Sequence, residues 1–137
     1  MQALVPFLQA YSPNPALPKV VAMCPEGELH EIGLMMFTLY LRRYGFKVVY
    51  LGSNMPRNGL DELIEQQKVR IVAISLTDGH RRSEVLELVN DLQDKYPSLR
   101  FALGGQAFAV VDEEVARWRV SGDRMSWDSW RHSAGQD

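Results

Sequence analysis

Apolar residues along the chain follow two patterns that take turns. Four short runs are apolar at successive positions: Lys19–Met23 (KVVAM), Lys47–Leu51 (KVVYL), Arg70–Leu76 (RIVAISL) and Arg100–Leu103 (RFAL). They are rich in β-branched residues and do not alternate with polar ones. This predicts strands buried on both faces, as in a parallel sheet covered by helices. Between the runs, apolar residues recur at helical spacing. Ile32, Met35, Met36 and Leu39 mark a first helix, with Arg42 and Arg43 in its last turn and Gly45 as its stop. Cations there suit the helix dipole, and glycine is the usual terminator. A second helix is predicted over Leu60–Gln67. A third is predicted over Ser83–Lys95, with Val85, Leu88, Val89 and Leu92 on one face and Pro97 after it. Short helices are predicted around Asp112–Trp118 and from Ser126 onward.

Strand and helix alternate four times with short links. That order predicts an α/β fold, a doubly wound parallel sheet with right-handed crossovers, flavodoxin-like in size and Rossmann-like in plan. The plan calls for a five-stranded sheet, and Arg119–Gly122 is the segment left to supply the fifth strand. Residues 1–18 read differently. Pro6, Pro13, Pro15 and Pro18 fall there, so Ser12–Pro18 is expected as an extended leader. Ala3–Tyr11 is expected as a short helical turn. The rest, residues 19–137, reads as one domain without repeats or low-complexity tracts.

Composition narrows the function classes. A chain of 137 residues can bury a real core. Net charge is −2, from 15 basic against 17 acidic residues, and no stretch is strongly basic. This argues against direct nucleic-acid binding by this chain. The single cysteine, Cys24, builds neither a disulfide nor a Cys-rich zinc site, and suits a reducing compartment. No run approaches the ~18 apolar residues of a membrane helix. No Lys or Arg precedes Lys19, so the basic start of a signal peptide is missing. The expectation is a cytoplasmic protein that does not enter membranes.

In an open parallel sheet, ligands bind beyond the C-terminal strand ends. The segments there are Cys24–Gly33, Gly52–Pro56, Ser75–His80 and Gly104–Gln106, all rich in small or polar residues. His30 lies at a loop-to-helix junction, where a neutral imidazole can ligate a transition metal. Glu28 or Glu31 is near enough to hold its other ring nitrogen and orient it. A helix-entry His making a surface hydrogen bond is the plainer reading. Gly33, inside a helix, costs about 0.5–1 kcal/mol against Ala. Close passage of a ligand explains it, and so does packing on a neighbouring strand. Ser75 and Thr77 either bind a polar ligand tail or cap a strand edge. Gly104 and Gly105 either admit a flat group or make a tight turn. His80, Arg81 and Arg82 form either a phosphate rim or a solvated turn. Cys24, Met35 and Met36 read as core. No nucleophilic triad, GxGxxG, GxxxxGK[ST] or HExxH is present.

The run Glu28-Leu29-His30-Glu31-Ile32-Gly33 resembles the DxHxxG motif of cobalamin-binding domains, with Glu in place of Asp. Ser75-x-Thr77 resembles that family's SxL/SxT element, and Gly104-Gly105 its GG element. The resemblance covers Lys19–Ser121 and is greatest to the cobalamin domains of MerR-type transcription regulators, some of which sense light through adenosylcobalamin. It implies that His30 displaces the cofactor's own base and ligates cobalt from below. Glu28 would steady His30, and Gly33 would make room for the freed nucleotide tail. Ser75, Thr77, Gly104 and Gly105 would line the slot that takes it.

On this resemblance the chain is expected to be a cobalamin-binding sensory or regulatory domain and not itself an enzyme. The cofactor would be adenosylcobalamin or methylcobalamin. The regulators carry a DNA-binding unit and a helical bundle upstream. Only residues 1–18 precede the first strand here, so a standalone domain, a fragment missing its upstream domains, or a chain that works with a partner chain is expected. A haem sensor on the same scaffold and a corrinoid carrier for methyl transfer are the alternatives. A domain kept for protein interaction alone is the last.

Overall fold

A computed structural model describes residues 12–134. Four parallel strands form the sheet, in the order β2-β1-β3-β4: β1 (Val20–Pro25), β2 (Val48–Met55), β3 (Ile71–Ser75) and β4 (Arg100–Gly104). Among the described residues five helices accompany them: α1 (Ile32–Arg43), α2 (Leu60–Gln67), α3 (Arg82–Lys95), α4 (Glu113–Ala116) and α5 (Arg124–Ala134). Single 3₁₀ turns at Gly79–Arg81 and Gln106–Phe108 lead out of β3 and β4.

The successive apolar positions of the strands are sorted by the pleat onto two faces. Val21, Met23, Val72, Ile74, Phe101 and Leu103 pack with Leu60 and Ile64 of α2 and with Val85, Leu88, Val89 and Leu92 of α3. Val20, Ala22, Cys24, Ile71, Ala73 and Ala102 face Leu34, Phe37, Tyr40 and Leu41 of α1, with Trp127 and Trp130 of α5 against the same cluster. Helices thus cover both faces, as the run pattern predicts. β2 is one edge strand of the sheet and is only partly buried.

The fifth strand shrinks to one parallel bridge, Leu103↔Arg119. Leu103 donates to the Trp118 carbonyl and Val120 to the Leu103 carbonyl, both at 2.9 Å. The chain then turns away, because Ser121 bonds forward to Ser126 Oγ and Asp123 at the start of α5. The C-terminal helix therefore begins earlier than expected, at Arg124. The leader is not uniformly extended: Asn14 closes a turn by accepting from Ala16 and Leu17. The predicted turn at Ala3–Tyr11 lies outside the described residues. Among the described residues no helix is long and apolar enough to cross a membrane.

Candidate functional site

β1 ends in a turn in which Glu28 N–H donates to the Pro25 carbonyl at 2.9 Å. The turn drives the Glu28 side chain inward, leaving the residue 3% exposed. Its Oε1 accepts the backbone N–H of Thr77. Its Oε2 accepts the backbone N–H of His30 at 3.0 Å and lies 2.9 Å from His30 Nδ1. Burial pushes the Glu28 carboxyl up, but the N–H groups of Thr77 and His30, the His30 ring and the Asp78 N–H outweigh it. The net shift is below the ordinary carboxylate value, so Glu28 is ionised at neutral pH.

The His30 side chain is 79% exposed. With Nδ1 turned to the carboxylate, Nε2 is the ring nitrogen left for an outside partner. Among the described residues, no three His, Cys, Asp or Glu side chains gather as a metal site. The chain offers one oriented, solvent-facing imidazole nitrogen at this edge.

On the same sheet edge, a cavity of about 530 Å³ opens between α1, the ends of β3 and β4, and α5. Gly33, Ser75, Gly104 and Gly105 line it, and Thr77 does not. Thr77 contributes instead its backbone N–H to Glu28. The expectation at Gly33 divided between ligand passage and helix packing. A Cβ there would meet no protein atom within 4 Å, so packing does not account for the glycine. Open space does.

Gly104 and Gly105 differ in kind. A Cβ at Gly104 would stand 3.5 Å from the Val120 carbonyl, an ordinary contact. Gly105 has φ +102° and its hydrogen side faces the Leu76 carbonyl, where a Cβ would collide. The Leu76 carbonyl also accepts from Ala107 at 3.1 Å. Gly105 is therefore glycine for the turn itself.

Sequence reading missed Ala73 and Ala102. They alternate with Ser75 and Gly104 along β3 and β4 on the α1 face, and all four line the cavity. The opposite face carries Val72, Ile74, Phe101 and Leu103. The signal was a small/large alternation, masked because the β3 and β4 runs are apolar or small throughout after their leading Arg. Met36, Phe37 and Trp127 complete the apolar walls. Met35 is buried, while Met36 is half exposed at the cavity.

The other candidates find protein partners. Arg82 donates to the Ala107 and Val110 carbonyls and pairs with Asp112 at 2.8 Å, tying down the loop after β4. His80 is exposed beside it. Glu31 accepts from the Tyr50 hydroxyl at 2.7 Å, and burial with that carboxylate pushes the Tyr50 phenol up. Cys24 is fully buried, donates to the His30 carbonyl at 3.6 Å, and has its thiol pushed up to about 12 by burial and by Glu28 and Glu31. It is unreactive packing.

A family model described as the B12 binding domain matches residues 18–126. The chain belongs to the B12-binding domain family. Within it, the chain is 32% identical over 132 residues to the HTH-type transcriptional repressor CarA of Myxococcus xanthus, covering 85% of this chain and 46% of that protein. The chain thus spans about half the length of this curated relative. Among solved structures, a cobalamin-binding protein from Desulfitobacterium hafniense superposes with TM-score 0.69 at 23% identity, over 85% of this chain and 58% of that one. The monomethylamine corrinoid protein of Methanosarcina barkeri superposes with TM-score 0.74 at 19% identity, over 97% and 65%. The methanol:cobalamin methyltransferase complex MtaBC of the same organism gives 0.69 at 23%, over 88% and 47%. The structural likenesses show the flavodoxin-like fold.

Proposed function

We propose that this B12-binding domain is the sensory or regulatory part of a transcription-control system. It holds cobalamin with the cofactor's own base displaced and His30 as the lower cobalt ligand. The observation that carries the reading is the pairing of an oriented, outward Nε2 at His30 with an open cavity beside Gly33. A macrocycle needs the first, and a displaced nucleotide tail needs the second.

In this reading the ionised Glu28 keeps the proton on His30 Nδ1 and turns the Nε2 lone pair outward. Gly33 leaves the tail room to pass α1. Ala73, Ser75, Ala102 and Gly104 keep the sheet side of the slot shallow, and Trp127 closes its outer side. The cofactor supplies the cobalt–carbon chemistry when bound, and the protein supplies ligation, orientation and exclusion of water. Likeness to the CarA repressor supports the regulatory role, with DNA-binding and helical-bundle units in the same or a partner chain. Haem has no nucleotide tail, so the cavity beside Gly33 favours cobalamin.

The test is reconstitution in the dark with hydroxocobalamin, methylcobalamin, adenosylcobalamin and haemin, followed by gel filtration and absorbance. A co-eluting cobalamin with a nitrogen-ligated, displaced-base spectrum, lost in His30→Ala, is expected. Retention of haemin alone overturns the reading, and so does a spectrum unchanged by His30→Ala. Illumination of the adenosylcobalamin complex should change the spectrum irreversibly if the domain is a light sensor.

A further inference from the structure

The segment that carries Glu28 and His30 is gripped from two sides by residues outside the cofactor site. Gly27 has φ +90°, and the Arg81 guanidinium lies where a Cβ of residue 27 would stand. Arg81 Nη1 donates to the Glu26 carbonyl at 2.8 Å. From β2, Asn54 Oδ1 accepts the Gly27 N–H at 2.8 Å, and the Asn54 N–H donates to the Glu28 carbonyl at 2.8 Å. Asn54 itself sits at φ +54°, a conformation asparagine tolerates better than most residues.

Arg81 belongs to the 3₁₀ turn that follows Thr77 and Asp78. The 77–81 segment therefore contacts the 26–30 segment at both ends. Backbone N–H groups receive the Glu28 carboxylate, and a guanidinium covers Gly27 and the Glu26 carbonyl. Packing does not duplicate this hold. A second cavity of about 490 Å³ lies against Pro25, Glu26 and Gly27, walled by Met23, Met55 and Val85 among others. Asp78 and Glu84 flank the guanidinium at 3.9 and 3.7 Å and keep it over the loop.

We propose that Arg81, seated on Gly27, is a positioning residue that holds the Glu28–His30 pair in its ligating arrangement. The proposal rests on His30 being the cobalt ligand. Arg81 touches neither the cofactor cavity nor His30 and acts through the peptide path from Glu26 to Glu28. A planar, forked guanidinium can lie flat on a glycine and bond a carbonyl at once, which an ammonium cannot do. Gly27 is glycine both for its φ of +90° and to admit the guanidinium.

The test compares wild type with Arg81→Met, Arg81→Lys, Gly27→Ala and the double variant Arg81→Met/Gly27→Ala. With methylcobalamin bound, the ratio of His-ligated to unligated cobalt is read from absorbance at one pH. Arg81→Met is expected to lower that ratio about tenfold, as loss of an outer-shell partner does elsewhere. Arg81→Lys should fall between, and the double variant should be no worse than the worse single one. Retention of the cofactor itself, set by the tail slot, should change less than the ratio.

In the apo-protein, hydrogen exchange at the Gly27, His30 and Thr77 amides should quicken in Arg81→Met while β3 and β4 amides do not change. An unchanged ligation ratio overturns the proposal, and so does unchanged exchange at those three amides. If wild type binds no cobalamin, the ligand reading of His30 falls, and the proposal falls with it. Quickened exchange would then show only a structural clasp.

Discussion

One oxygen of Glu28, Oε2, holds His30 twice, through the backbone N–H at 3.0 Å and the ring Nδ1 at 2.9 Å. The imidazole is therefore oriented before any ligand arrives. The other oxygen is anchored in the N–H of Thr77, just beyond the end of β3, the strand beside β1. Glutamate is one methylene longer than the aspartate of the motif it resembles. Here that arm spans from the His30 turn to the end of β3.

Loss of the Glu28 charge should appear in the acid stability of the apo-protein. Its folded pKa lies below the ordinary value of 4.5, so its contribution is complete above that value and disappears as pH falls through the folded one. Melting temperature should hold steady from about pH 7 to about pH 5 and then fall, with a shallower fall in Glu28→Gln. Equal acid limbs in the two proteins would contradict this.

Gly33 should separate stability from binding. A Cβ there meets nothing, and alanine is the better helix former, so Gly33→Ala should stabilise the apo-protein by about 0.5–1 kcal/mol. The same change narrows the cavity, and Gly33→Leu narrows it further. Cobalamin retention should fall in that order while the melting temperature does not. Thermal unfolding and gel-filtration retention, measured together, decide it.

The adjacent glycines after β4 should respond oppositely. Gly105→Ala forces a side chain to φ +102° against the Leu76 carbonyl, and should cost about 1–3 kcal/mol in urea unfolding. Gly104→Ala meets only an ordinary contact and should leave folding nearly unchanged. Its effect should fall on cobalamin retention, because Gly104 lines the cavity.

Trp127 packs its edge on Phe37 at 5.4 Å between centroids, donates to the Ser121 carbonyl at 2.8 Å, and lines the cavity. Trp127→Ala should cost about 2–4 kcal/mol in urea unfolding. Trp127→Phe should restore most of the stability but not the hydrogen bond. If the slot takes the tail, bound cobalamin should quench more tryptophan emission in wild type than in Trp127→Phe.

The strands, the order of elements and the helix-covered parallel sheet were legible because burial on both faces leaves an uninterrupted apolar run. The first three helices were legible from their spacing and stops. The fifth strand was not. Arg119–Gly122 has strand-like residues, but one bridge forms before Ser121 and Asp123 draw the chain into α5. Glu28 lies two positions before His30 and Glu31 one after, so sequence proximity did not single out the partner. Only the fold sends Glu31 to Tyr50 and Glu28 to His30.

The residue types and spacing from Glu28 to Gly33, with Ser75 and Gly104-Gly105, were enough by themselves to indicate family and edge, because local motifs survive in one dimension. The reasons for each residue were not. Gly33 stands beside open space and Gly105 beside a carbonyl, though both are glycines in sequence. Thr77 serves through its backbone N–H and Arg81 through a glycine fifty-odd positions earlier. Such roles depend on which strands lie side by side, and the β2-β1-β3-β4 order exists only once the chain has folded.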